Sequence, residues 1–141
     1  MLKKSFLISV IFTFALSILA FSNAESQTLP KISVKTNKKA YKPGESGVLT
    51  IKFKTASDVK IPTEPQVEVN LTGVTGTGLL GYPGGDYIES KQVKYGFTVS
   101  SEAESGSTIT ISGTVKFGYC DSGSGICKIG NQKFSVKIKI K

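Results

Sequence analysis

The 141-residue sequence predicts an all-β protein, an antiparallel β-sandwich of about seven short strands. Apolar and polar residues alternate with a period of two along much of the chain, as in strands with one buried face. Stretches rich in Gly, Pro and Ser separate these segments at short intervals. No apolar stripe of period 3.6 is long enough for a helix. An immunoglobulin-like sandwich is the favoured arrangement, and a small barrel is the alternative.

The first 24 residues predict a secretory signal peptide. Lys3 and Lys4 precede an apolar run at residues 6–21, and Ser22 and Ala24 are small residues at the −3 and −1 positions of a cleavage site. The run is short for a membrane span, although an uncleaved anchor is the alternative. We therefore expect a signal peptide at 1–24, a single domain at 25–141, no membrane span after cleavage, and a periplasmic or secreted location.

The alternating segments define the predicted strands in chain order. Ile32 begins a short first strand, and a Pro-Gly turn at residues 40–47 leads to the next. Residues 55–66 are less regular, and residues 72–86 are predicted as a Gly-rich loop, which at this length is usually functional or mobile. The inward-facing residues of the longer strands are Leu49, Ile51 and Phe53; Val67, Val69 and Leu71; Val93, Tyr95, Phe97 and Val99; Ile109, Ile111, Val115 and Phe117; and Phe134, Val136, Ile138 and Ile140.

The charge pattern argues against a nucleic-acid binder. The net charge of +8 comes entirely from lysine, and loss of Lys3 and Lys4 with the signal peptide lowers it to +6. There is no Arg for bidentate recognition of bases, and the lysines alternate with apolar residues as on a solvated strand face. A weak preference for acidic partners or surfaces is the other interpretation. Lysines along the last strand also argue against open pairing at its edge.

The absence of His removes several chemistries. Neither a Ser-His-Asp nor a Cys-His nucleophile is possible, so any chemistry must come from Cys120 and Cys127. Two cysteines seven positions apart are not a recognised zinc ligand set, and we expect neither a metal nor a cofactor. Metal handling by the two thiols remains a weaker possibility.

The two cysteines flank the hexapeptide Asp-Ser-Gly-Ser-Gly-Ile, which can turn the chain and place them opposite each other. Alternation along the preceding strand puts Cys120 on its outward, exposed phase, unless a bulge at Gly118 reverses the order. A disulfide here closes a loop of about eight residues and contributes about 2.5 kcal/mol. The residues alone leave two readings open, a structural staple, which they favour, and a redox pair.

The segment Cys-Asp-Ser-Gly-Ser-Gly-Ile-Cys and the strands around it resemble the N-terminal periplasmic domain of the thiol-disulfide interchange protein DsbD. The segment Tyr-Lys-Pro-Gly-Glu-Ser-Gly-Val-Leu-Thr-Ile-Lys-Phe is similar to that family's early Pro-Gly turn and strand. The resemblance covers about residues 30–141. Six residues separate the cysteines here and five in DsbD, and Lys128 and Ile129 follow where DsbD has an aromatic residue and prolines.

The resemblance implies an immunoglobulin-like fold and a redox-active pair, Cys120 and Cys127, with Cys127 joined to partners. It implies that Phe117 is the aromatic residue that precedes the first cysteine, and that Tyr82 and Tyr87 are candidate cap residues over the disulfide; ordinary loop and core roles are the alternative for these two. The membrane and thioredoxin-like domains of DsbD have no counterpart in the sequence. Separate thioredoxin-like or other redox proteins are therefore the expected partners.

Two functions follow as hypotheses. The first is an exported thiol-disulfide interchange protein that relays electrons through Cys120 and Cys127. The second is a non-enzymatic immunoglobulin-like binding module in which the hairpin disulfide is structural.

Overall fold

A computed structural model describes residues 28–141, and the predicted signal peptide at 1–24 lies outside the described residues. The described chain is all-β and contains no helix, and therefore none long and apolar enough to cross a membrane. Its nine strands are β1 Lys31–Thr36, β2 Ala40–Tyr41, β3 Ser46–Lys54, β4 Val59–Lys60, β5 Glu68–Thr72, β6 Thr75–Leu80, β7 Gln92–Thr98, β8 Thr108–Asp121 and β9 Cys127–Ile140.

The strands form two sheets. The first has the order β1-β3-β7-β6, and the second has the order β2-β9-β8-β4, with β5 also paired to β8. All pairings are antiparallel except that of β2 with β9, where Ala40 lies opposite Lys139 in a parallel bridge. The predicted antiparallel β-sandwich is confirmed. The described chain has more strands than the expected seven. The two additional strands are β2 and β4, which have only two residues each.

The core lies between the sheets in two clusters of buried side chains. In one, the rings of Phe53 and Phe117 lie 4.8 Å apart between centroids. In the other, Tyr41 and Phe97 pack edge to face at 5.4 Å. The alternation seen in the sequence is therefore the alternation between core and solvent, and each large side chain buried this way contributes about 1.5–3 kcal/mol.

One predicted loop proved to contain a strand. Residues 75–80, within the Gly-rich stretch 72–86, form β6 and pair with β7, with an irregular register between Gly76 and Gly78. A side chain on Gly76 would lie 2.8 Å from the hydroxyl of Tyr95. Glycine is therefore needed because β7 approaches closely, and the same glycines erase the apolar alternation by which a strand is recognised.

The last strand is longer than predicted. Its alternation begins at Lys133, whereas β9 begins at Cys127 and pairs with β8 over the whole length from Cys120 to Thr108. Residues 127–132 are extended because β8 offers them a continuous ladder, a long-range condition that no local pattern reports.

We predict that Gly113→Ala destabilises the protein by about 1–3 kcal/mol, the cost of overpacking a tight site. A Cβ at Gly113 would collide with the carbonyl oxygen of Asn70, so β5 would have to move away from β8. Urea denaturation measures the effect. Gly84→Ala is the matched control, since a Cβ there meets nothing within 4 Å. Equal stabilities of the two variants would contradict the close approach of β5 to β8.

Candidate functional site

The candidate site is the disulfide between Cys120 and Cys127 at the end of the β8–β9 hairpin. The register is unbroken from Thr108 opposite Lys139 to Cys120 opposite Cys127. Asp121 N donates to Ile126 O at 2.9 Å, which makes the adjacent cysteines a non-hydrogen-bonded pair. Such pairs have the closest side chains in an antiparallel ladder, and the cysteine Cα atoms lie 4.0 Å apart. The expected hairpin and its disulfide are confirmed.

The tip of the hairpin is ordered by its own turn chemistry. The Asp121 side chain accepts a hydrogen bond from Gly123 N at 2.8 Å, and the Asp121 carbonyl accepts one from Gly125 N at 2.8 Å. Gly125 has a φ of 71°, in the left-handed region that favours glycine. The flexible-looking hexapeptide therefore has a defined conformation that holds the two cysteines opposite each other.

A second segment anchors the tip from outside the hairpin. Ser122 donates to the Asp58 carbonyl from both its N–H, at 2.8 Å, and its hydroxyl, at 2.7 Å. The next residues form β4, in which Val59 pairs with Asp121 and Lys60 pairs with Cys120. Cys120 therefore has a strand on each side, β9 and β4.

The two cysteines differ sharply in exposure. Cys120 is only 6% exposed, whereas Cys127 is exposed. The expectation that Cys120 is exposed was wrong, although its phase was right: no bulge interrupts β8, so Cys120 shares the outer face with Lys116 and Gly118. Residues 59–65, called the covering segment below, run along this part of β8. The first two form β4 beside Cys120 in the same sheet, and Pro62 then lies over the outer face, with its Cγ only 3.0 Å from where a Cβ on Gly118 would be.

Exposed apolar side chains surround Cys127. Ile126 is 56% exposed and Ile129 is 53% exposed, and both rank among the large hydrophobic residues that the described chain leaves in solvent. Ile129 also lines a small pocket of about 110 Å³ together with Pro65. The exposed cysteine thus has two exposed isoleucines within two positions of it in the chain.

Tyr82, a predicted cap residue, anchors the segment that follows β4. Its hydroxyl donates to the Thr63 carbonyl at 2.9 Å and accepts from Val67 N at 3.2 Å, and its ring packs against the larger core cluster. Burial removes water from the phenol and raises the pKa of Tyr82 above its usual value of 10.0. These bonds support the covering segment, and a direct cap role for Tyr82 stays a prediction.

Tyr87, the other predicted cap residue, lies one strand further from the cysteines. It forms a bridge with Pro62, and the Lys60 ammonium lies 4.9 Å from the centroid of its ring. Since Lys60 is also the backbone partner of Cys120, the order across the surface is cysteine, covering segment, Tyr87. A contact of Tyr87 with the disulfide stays a prediction.

Phe117 lies on the opposite face of β8 from Cys120. It is 1% exposed and packs between Phe53 and Tyr119 in the larger core cluster. An offset of three positions in a strand reverses the face, so this aromatic residue supports the strand from within the core.

Two features of the site went unpredicted. The sequence shows the covering segment only as an irregular stretch, because its pairing with Cys120 joins residues about sixty positions apart. The exposed isoleucines could have been noticed in the sequence. Ile126 is an apolar residue in a turn otherwise made of Ser and Gly, and nothing in the local structure of a turn requires an apolar side chain there. Within residues 28–141, no group of three or more His, Cys, Asp or Glu side chains is arranged to hold a metal ion.

Comparison with known proteins identifies no relative: no family model matches the chain, and no curated protein matches it. The resemblance to DsbD thus rests on the motifs quoted above, and function must be argued from the geometry.

We predict that Tyr82→Phe lowers the free energy of unfolding by about 1–2 kcal/mol, because the Thr63 carbonyl and the Val67 N–H lose their partner. Since the folded pKa of Tyr82 is raised, its stabilising effect is complete below about pH 10 and is lost as the pH rises further. Denaturation at pH 7 measures the main effect.

Tyr87→Phe is the control for this prediction. It removes a hydroxyl that makes no hydrogen bond to residues 28–141, and should change stability by less than about 0.5 kcal/mol. A loss equal to that of Tyr82→Phe would contradict the anchoring role of Tyr82.

Proposed function

We propose that the protein is an exported thiol-disulfide interchange protein in which the Cys120–Cys127 bond exchanges with the thiols of other exported proteins. One observation carries the proposal: of the two bonded sulfurs, one belongs to an exposed residue and the other to a residue that is 6% exposed. A staple needs no such asymmetry, whereas exchange needs one sulfur that a partner can reach and one that leaves. The predicted signal peptide supports an oxidising, periplasmic or secreted location.

The exchange follows from this geometry. A partner thiolate attacks Sγ of Cys127, a bond forms between these sulfurs, and the Cys120–Cys127 bond breaks. The electron pair of the broken bond goes to Cys120 Sγ, which leaves as a thiolate and takes a proton from solvent. The partner's second thiolate then attacks the partner sulfur of the mixed disulfide, and Cys127 leaves as a thiolate. Two electrons have passed to the protein, and the partner now holds the disulfide.

The same exchange steps, run in reverse, reduce a partner. The Cys127 thiolate attacks a partner disulfide, and Cys120, held opposite, attacks Cys127 Sγ to reform the internal bond and release the second partner thiolate. The relative reduction potentials of the two proteins set the direction. In both directions Cys127 forms the mixed disulfide. Cys120 is the leaving group when the internal bond opens and the resolving cysteine when it closes.

The fold tolerates opening of this bond. Closing so short a loop contributes about 2.5 kcal/mol, a minor part of the 5–15 kcal/mol that stabilises a typical domain. The hydrogen bonds of Ser122 to Asp58 and of Asp121 to Ile126 do not depend on the sulfur bond. The dithiol would therefore stay in place, ready to close again.

Ile126 and Ile129 supply the docking surface for the partner. The DsbD resemblance implies thioredoxin-like partners. A partner that presents its cysteine within an apolar rim would bury both isoleucines as its sulfur reaches Cys127. Tyr82 and Tyr87 act here as positioning residues that hold the covering segment over Cys120.

We predict that Cys120→Ala and Cys127→Ala differ in reactivity. Both lose the same cross-link, so each is the stability control for the other. With oxidised glutathione as the probe, exposed Cys127 in Cys120→Ala should form the mixed disulfide at least about ten-fold faster than buried Cys120 in Cys127→Ala. Mass spectrometry over time measures both rates. Equal rates, or faster reaction of Cys120, would contradict the assigned roles.

The reduction potential separates exchange from a structural staple. Equilibration of the wild-type protein in glutathione buffers should give a value above about −300 mV. A value well below this marks a bond that partners do not open, and favours the stapled binding module.

We also predict that Ile129→Ser slows reduction by a thioredoxin several-fold, while reduction by dithiothreitol keeps the wild-type rate, because only a protein partner buries this side chain. Leu80→Ser is the control, since Leu80 is 43% exposed on β6 in the other sheet. Equal slowing by both reductants would argue that Ile129 acts on the disulfide itself.

A further inference from the structure

A groove of about 780 Å³ lies far from the disulfide, between β1 and the C-terminal part of β9. This volume is within the range of roughly 300–1,000 Å³ that is typical of ligand sites. Val34, Val136 and Ile138 provide its apolar lining. Its other lining residues include four exposed lysines, Lys35, Lys39, Lys137 and Lys139.

The backbone of β9 presents an open edge toward this groove. Ile140 N donates to Ser107 O at 2.9 Å on the β8 side, so the even-numbered residues of β9 direct their backbone groups to β8. The odd-numbered residues direct theirs to the other side. On that side Lys139 N donates to Lys39 O at 2.9 Å, but no strand within residues 28–141 pairs with this edge of β9, the one facing away from β8, between Ile129 and Lys137.

The facing edge of β1 is open as well. Asn37 N donates to Val48 O at 2.9 Å, which makes Lys35 and Thr50 a hydrogen-bonded pair in the same register. Val34 and Thr36 therefore direct their N–H and C=O groups away from β3. The described chain pairs neither edge with the other, and Gln132 spans them only at the far end, donating to the Pro30 carbonyl at 3.1 Å.

We propose that this groove binds an extended acidic segment of a partner protein, which adds as a strand to the edge of β9. Alternate apolar side chains of the segment would pack on Val34 and Val136, and the intervening carboxylates would meet the lysines. A second copy of this chain fits poorly, because it would bring lysines against lysines. An acyl chain would leave the strand edges without hydrogen-bond partners.

The lysines give the edge its selectivity. Lysine on an edge strand deters pairing with neutral or basic strands, which was the expectation for β9. For an acidic segment the same charges become favourable contacts. The inference is independent of the proposed redox function, because the groove lies along β9 some ten residues beyond Cys127.

The test uses a labelled peptide, acetyl-Glu-Val-Glu-Val-Glu-Val-Glu-amide, and the full protein in fluorescence anisotropy at low salt. We expect this peptide to bind, and its binding to weaken as salt is added. The corresponding peptide with lysine in place of glutamate should not bind. Lys137→Glu should weaken binding about ten-fold or more. Lys52→Glu makes the same charge change on β3, outside the groove lining, and should have a much smaller effect.

Backbone pairing is tested with two further peptides, N-methylated on all glutamates or on all valines. The N–H groups along one edge of a strand belong to alternate residues, so one of the two peptides cannot donate to β9. It should bind about ten-fold more weakly than the unmodified peptide. Equal binding of all three peptides, or equal effects of the two lysine variants, would overturn the proposal. So would concentration-dependent dimerisation through this edge, or binding of dodecanoate in place of the peptide.

Discussion

The antiparallel ladder between β8 and β9 runs without a bulge from Thr108 opposite Lys139 to Cys120 opposite Cys127, and the rest of the molecule is arranged around it. Because the register never slips, the large apolar side chains on the inward face of the two strands reach the core, including Ile111, Phe117 and Ile138. The same register brings the cysteines together as a non-hydrogen-bonded pair. If β9 slipped by one residue against β8, its inward and outward side chains would exchange faces and the two sulfurs would be separated.

The difference between the two cysteines comes from what lies beside the ladder. β4 lies beside Cys120 in the same sheet, and the prolines after it lie over the outer face of β8 at Gly118, a face that alternation alone would leave exposed. Tyr82 holds that segment through two hydrogen bonds, and Ser122 attaches it to the hairpin tip. No segment within residues 28–141 covers Cys127 in this way, and it stays exposed near Ile126 and Ile129. An asymmetric pair is thus produced by a third segment of chain laid on one side of a symmetric hairpin.

The proposed exchange site and the proposed peptide groove both lie on β9, at opposite ends of the strand. They would bind their partners through different chemical groups. At its start, the strand presents the exposed Cys127 near the exposed Ile126 and Ile129, which suits a partner that exchanges electrons and leaves. Along its second half, it presents unpaired backbone groups beside lysines, which suits an extended acidic chain. The ladder to β8 leaves one edge of β9 free, and β2 occupies only its last residues.

The all-β class, the inward set Leu49, Ile51 and Phe53, and the hairpin with opposed cysteines were determined by the sequence alone, because period-2 alternation and turn residues act locally. The strand β6 escaped prediction because its glycines carry no apolar pattern; Gly76 is there because the Tyr95 side chain of β7 approaches closely. The burial of Cys120 was decided only in the tertiary structure. A residue's phase on its strand is local, but whether another segment covers that face depends on contacts between residues 60 and 120, which no local pattern encodes.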